Sequence, residues 1–235
     1  MLWNIDLTLV DAARVMRAAY AEAFGVVAGR PLIQLPQLAG RSESEVFFDA
    51  LALNGVDTRT DGATERLLEP FSAELAAVLA ARRDDLITQG RLMPGAAQAL
   101  AAVAKLDGVI QTVLTGNSKP NAMLKLRAFG LDGHVDFDIA GYGSEAYPRG
   151  TLLSVARQRA ADKLKIPLAE LPTVYVADSP RDMDAARIGG ASSLAVASGR
   201  ASAAELREAG ADAVVPDLTD TAGLVTLVAR LTEAP

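Results

Sequence analysis

Three short polar clusters in this chain, each directly behind an apolar run, carry the residue types that could do chemistry. The first is Asn4-Ile5-Asp6-Leu7-Thr8, behind Met1-Leu2-Trp3. A strand sends residues i and i+2 to the same side, so Asn4 and Asp6 can emerge together at its carboxyl end, where open α/β sheets place ligands. Two short polar side chains there could hold a metal or a phosphate, and equally could cap a following helix. The second is Thr115-Gly116-Asn117, behind the β-branched run 109–114 and ahead of a helix opening at Lys119-Pro120. A hydroxyl and free N–H groups at a strand-to-helix junction make an anion site. The third is Asp178-Ser179-Pro180-Arg181-Asp182, behind Val174-Tyr175-Val176-Ala177. It sets two carboxylates four residues apart across a helix start.

Elements must deliver these clusters to one place. Residues 11–24 read as an amphipathic helix. Ser42 with Glu45 forms a capping box for a helix over 43–53. Residues 61–89 are strongly helical, with a break expected at Pro70. No strand is expected between 14 and 90. From Pro94 the pattern changes: helices over 94–105, 119–129, 150–163, 181–188, 202–209 and 219–231 alternate with strands over 109–114, 135–140, 173–177, 193–197 and 213–215. Such alternation predicts an α/β fold with a parallel sheet covered on both faces.

In order and spacing, the three strand ends resemble the motifs of the haloacid dehalogenase superfamily in its phosphatase branch, over nearly the whole chain. That resemblance implies a Rossmann-like core of residues 1–13 and 91–235 and an inserted all-helical cap of residues 14–90, which closes over the site and selects small substrates. It implies a Mg2+-dependent phosphatase of small phosphorylated metabolites. Position 4 is then the nucleophile and Asp6 the general acid/base; a carboxylate at Asp6 favours phosphoryl transfer over dehalogenation. Thr115, Gly116 and Asn117 match the phosphate-binding motif. The family's third motif asks for a cation after the third strand, and no lysine lies between 140 and 150, so Arg149 is the expected residue. Magnesium would be held by position 4, the Asp6 backbone carbonyl, Asp178 and Asp182, the last as ligand or as partner of a ligand.

The departure is Asn4, where the family has aspartate. A carboxamide is neutral and weakly nucleophilic, and loss of one catalytic group commonly costs about 10⁴-fold or more. Asn4 is open to three readings: a substitution made to stop turnover, a silent phosphate-binding or interaction module, or an active protein that deamidates Asn4 or uses water attack with Asp6 as base. A 2-haloacid dehalogenase is the least favoured function.

Composition bounds the rest. At 235 residues the chain suits one core with an insert. A net charge of −6, with no basic stripe, argues against nucleic acid. There is no cysteine, and the one histidine, His134, excludes sites needing two. Asp6, Asp11 and Arg14 interrupt the apolar start, so no signal peptide or membrane span is expected, and a cytoplasmic protein, monomer or homodimer, follows. Phe47, Phe48, Trp3, Tyr142 and Tyr147 are expected to pack rather than to touch substrate, and Arg41 in the cap is a candidate contact for an anionic substrate.

Overall fold

In a computed structural model, residues 1–56, 63–145 and 149–233 are described, without the side chains of 63–65 and 149. The chain begins with β1 (Leu2–Trp3), whose polar end leads through a tight loop to β2 (Val10–Asp11). Leu7 sits in that loop at φ 63°, a conformation a bulky residue adopts only under local constraint. The constraint is visible: Leu7 N–H donates to Val10 O, and its carbonyl accepts from Ser198 Oγ.

Four helices follow, α1 (Ala13–Ala28), α2 (Glu43–Leu53), α3 (Ala63–Ala81) and α4 (Arg83–Gln89), and β3 (Arg91–Leu92) returns to pair antiparallel with β2. The capping box at Ser42 and Glu45 is present and starts α2. Pro70 does not break α3 as expected; the interruption falls at Arg82. Proline removes one helical hydrogen bond, while buried Phe71, Leu75, Val78 and Leu79 keep the following turns packed. The β2–β3 pair was not legible in the sequence, because two-residue strands carry no period.

The remainder alternates as expected: α5 (Ala96–Val103), β4 (Thr112–Thr115), α6 (Lys119–Ala128), β5 (Gly141–Tyr142), α7 (Arg149–Leu164), β6 (Val174–Ala177), α8 (Pro180–Gly189), β7 (Ser192–Val196), α9 (Ala203–Glu208), β8 (Ala213–Val215) and α10 (Thr221–Thr232). One strand is displaced. Residues 135–140 run as an irregular segment, and β5 pairs only at Gly141 and Tyr142. Asp136 still reaches the neighbouring segment, its N–H donating to Gln111 O, but its carboxylate takes hydrogen bonds from Lys163 and from Asp138 N–H, and the chain turns there instead of continuing a ladder.

The six main strands form one parallel sheet in the order β5-β4-β1-β6-β7-β8. Period-two alternation divides its faces. Trp3, Val113, Val174, Val176, Leu194 and Val196 join α5, α6, α10 and the helices between β2 and β3 in one hydrophobic cluster. Leu2, Leu114, Tyr175, Ala177 and Ala195 join α7, α8 and α9 in the other. No helix among the described residues is long and apolar enough to cross a membrane. Strand β1 lies between β4 and β6, so the carboxyl ends of three neighbouring strands deliver Asn4, Thr115 and Asp178 to one edge.

Candidate active site

Asp6 is the centre of that edge. Its Oδ1 accepts from Lys125 Nζ at 2.7 Å and its Oδ2 from Asn117 Nδ2 at 2.7 Å. Asn117 completes the clamp: its Oδ1 accepts from Lys125 Nζ at 2.7 Å, and its amide also donates to Thr115 Oγ1 at 2.6 Å. The lysine side chain is 1% exposed and that of Asp6 is 40% exposed. Lys125 therefore sits beneath the site, aimed upward, while the carboxylate it holds faces open space.

Lys125 was not expected. The cation expected after the third strand is Arg149, whose side chain lies outside the described residues. Lys125 instead comes from the inner face of α6. Only its burial within a charged helix reveals it.

The space above Asp6 is a cavity of about 70 Å³ walled by Asp6, Gly116, Asn117 and Lys125 from the sheet side, and by Tyr20, Arg41, Glu43 and Val46 from the helices between β2 and β3. A single water needs roughly 10–15 Å³ on this measure, so the cavity takes a group of a few heavy atoms. Arg17 and Arg200 also line it. Asn4, Thr115 and Asp178 are 4%, 0% and 3% exposed and form no part of its walls.

The roof is bolted down. Glu43 N–H donates to Gly116 O at 2.9 Å, and the Glu43 carboxylate accepts from Ser118 N–H at 3.0 Å and Asn121 Nδ2 at 2.9 Å. Burial pushes the Glu43 carboxyl above its ordinary range, against the pull of nearby Lys125 and of these donors. Close backbone approach explains Gly116, where a Cβ would stand 2.0 Å from Arg41 O, and a left-handed φ of 70° explains Gly40. Glu43 was read in the sequence only as a helix residue. Arg41, considered there as an anion contact, is paired with Asp49 at 2.7 Å while lining the cavity.

Behind the cavity, Asn4 Nδ2 donates to Asp178 Oδ1 at 2.9 Å, to Asp6 O at 3.0 Å and towards Thr8 Oγ1 at 3.4 Å. Thr8 Oγ1 donates to the same Asp178 oxygen at 2.8 Å. Asp182 is fully buried and accepts from Tyr175 OH at 2.7 Å and Ser179 Oγ at 2.6 Å. These bonds tie Asp182 to the turn that carries Asp178. Trp3, Phe47 and Tyr142 are buried packing residues, as expected, and Tyr147 lies outside the described residues.

The model of the haloacid dehalogenase-like hydrolases matches residues 1–187, most of the chain. The chain belongs to that family. Solved structures with the same fold include a hydrolase from Pseudomonas syringae, 23% identical, with 96% of this chain and 97% of that one covered and a TM-score of 0.64. A protein from Haemophilus somnus described as a predicted phosphoglycolate phosphatase is 18% identical over 95% and 96% of the two chains, with a TM-score of 0.64. CbbY from Rhodobacter sphaeroides, solved in complex with phosphate, is 18% identical over 93% and 94%, with a TM-score of 0.58. Comparison by sequence with curated proteins finds no match.

Members of this family generally use Mg2+. The donors here fit that ion poorly. Mg2+ requires a near-octahedral set of oxygens, usually including one or two carboxylates. Among the described residues, no three His, Asp or Glu side chains converge as a metal site, and the Asp6 backbone carbonyl and the Asp178 carboxylate both accept from the Asn4 amide.

Proposed function

We propose that this member of the haloacid dehalogenase-like hydrolases binds the phosphoryl group of a small phosphorylated metabolite and hydrolyses the ester slowly, its nucleophile position being Asn4. The division into a core of residues 1–13 and 91–235 and a cap of residues 14–90 is part of the same proposal, the cap closing over the bound ester.

The observation that carries this reading is the clamp on Asp6. A carboxylate held on one oxygen by a buried ammonium and on the other by an amide has a fixed orientation and faces a cavity sized for a phosphoryl group. Such a group can give a proton to a leaving oxygen and take one from an attacking water. Lys125 and the backbone at Gly116 supply positive potential where phosphoryl charge gathers. Asn4 cannot form the acyl phosphate that an aspartate would, so water is the attacking group; Asp6 takes its proton, and the ester oxygen leaves on the opposite side of phosphorus and is protonated from solvent. The sequence does not name the metabolite; the small cavity favours a compact one.

The test is phosphate release from a panel of small phosphate esters, by this chain and by Asn4→Asp, after intact mass has shown that residue 4 is amide. Slow release by the chain, rising by on the order of 10³ to 10⁴-fold in Asn4→Asp, is the expected result. No release by either protein from any ester would overturn the hydrolase reading, and ligand binding without release would replace it by a silent phosphate-binding module.

A further inference from the structure

The Asn4 amide stands where oxygens from two neighbouring strand ends converge. The Asp6 backbone carbonyl and the Asp178 carboxylate can only accept, so the atom of the carboxamide facing both must be the nitrogen. Its distances of 3.0 and 2.9 Å are those of ordinary hydrogen bonds. Thr8 contributes a second donor to Asp178, at 2.8 Å.

An aspartate in the same place would bring a carboxylate oxygen against that of Asp178. Two such oxygens in contact require a cation or a shared proton between them. The amide removes the requirement. It supplies N–H where a cation would otherwise be needed, and it leaves the cluster one negative charge lighter. Asp182, the other acidic residue nearby, takes hydroxyl hydrogens from Tyr175 and Ser179.

We propose that in this chain the Asn4 amide replaces the divalent cation of the site, so that a phosphate group binds without metal, its charge met by Lys125. This rests on the reading that a phosphoryl group occupies the cavity above Asp6. Reorienting the amide to offer its oxygen to a metal would turn the same nitrogen away from both acceptors, so the exclusion is built into the hydrogen bonding of the strand end.

Two measurements on the full chain test this separately from turnover. Inorganic phosphate titrated calorimetrically should bind this chain with the same Kd, within about twofold, in EDTA and in excess Mg2+, whereas Asn4→Asp should lose about tenfold or more of its affinity in EDTA. Magnesium alone, titrated into the chain as it stands, should give no saturable heat, and should raise the Tm of Asn4→Asp only. Saturable magnesium uptake by the unsubstituted chain, or loss of its phosphate binding in EDTA, would overturn the proposal. Absence of phosphate binding in both buffers would instead overturn the phosphoryl reading, and the magnesium titration still decides the metal question even if Asn4→Asp does not fold.

Discussion

Lys125 shows at residue scale how a site can depend on a side chain that never reaches the surface. Its ammonium meets Asp6 and Asn117 at 2.7 Å each. Lys125→Met keeps most of the volume and removes the charge. Because Asp6 is partly open to water it can rehydrate, so the stability loss should be about 1–3 kcal/mol, below that of a fully buried pair. Phosphate affinity should fall at least ~10-fold, as expected for removing the charge opposite an anion. Urea unfolding and phosphate calorimetry on the same variant check both numbers; unchanged affinity would remove Lys125 from the site. A second residue, Gly199, acts by having no side chain: a Cβ there would stand 2.0 Å from Asp178 Oδ2. Gly199→Ala should therefore push Asp178 off Asn4 and Thr8, weakening phosphate binding while far-UV circular dichroism stays native. Asn4, Asp6, Asn117 and Asp178 were legible because each follows an apolar strand run. Lys125 was not, since the helix that holds it also carries Lys119 and Arg127 and reads as a solvated face; only tertiary packing buries one cation of the three.

At the scale of elements, α2 joins the roof to the sheet edge through its first residue. The Glu43 carboxyl is raised above its ordinary value by burial, so the folded state holds its proton at a pH where the unfolded chain has lost it. A raised folded pKa contributes stability that is complete below the ordinary value, 4.5, and lost as pH rises through the folded value. The expected outcome is that the stability of the wild type relative to Glu43→Gln increases as pH falls through that window towards 4.5. Denaturant unfolding of both proteins across the window measures it, and a constant difference would show that Glu43 does not titrate with folding. The start of α2 was readable, because Ser42 and Glu45 announce it. What its first carboxylate does was not, because its partners Ser118 and Asn121 lie some 75 residues away in sequence. The displaced strand at 135–140 failed for a related reason: Asp136 reaches across to residues 111 and 112, and its carboxylate then bonds Asp138 N–H, where the chain turns.

For the whole molecule, the decisive feature is that the helices between β2 and β3 do not own a separate core. Phe24, Phe47, Phe71 and Leu75 belong to the same buried cluster as Trp3, Ile5 and Val113 of the sheet side. Phe47 is fully buried and stacks on Phe71 with centroids 4.0 Å apart. Continuity of that kind predicts one cooperative transition, since neither part can expose its face without exposing the other's. The single tryptophan, Trp3, reports on the sheet, and far-UV circular dichroism reports on all helices. The two signals should melt together. Phe47→Ala should cost about 3–5 kcal/mol, the usual range for emptying a buried aromatic site, and at this chain length it should lower Tm by on the order of 10 °C. Both probes should shift by the same amount, although the substitution lies far in sequence from Trp3. If the dichroism instead fell first, with Trp3 fluorescence unmoved, the helices would unfold as a unit of their own. Closure of the roof over Asp6 would then be a docking equilibrium, whose cost would be subtracted from the affinity of every ligand the cavity takes.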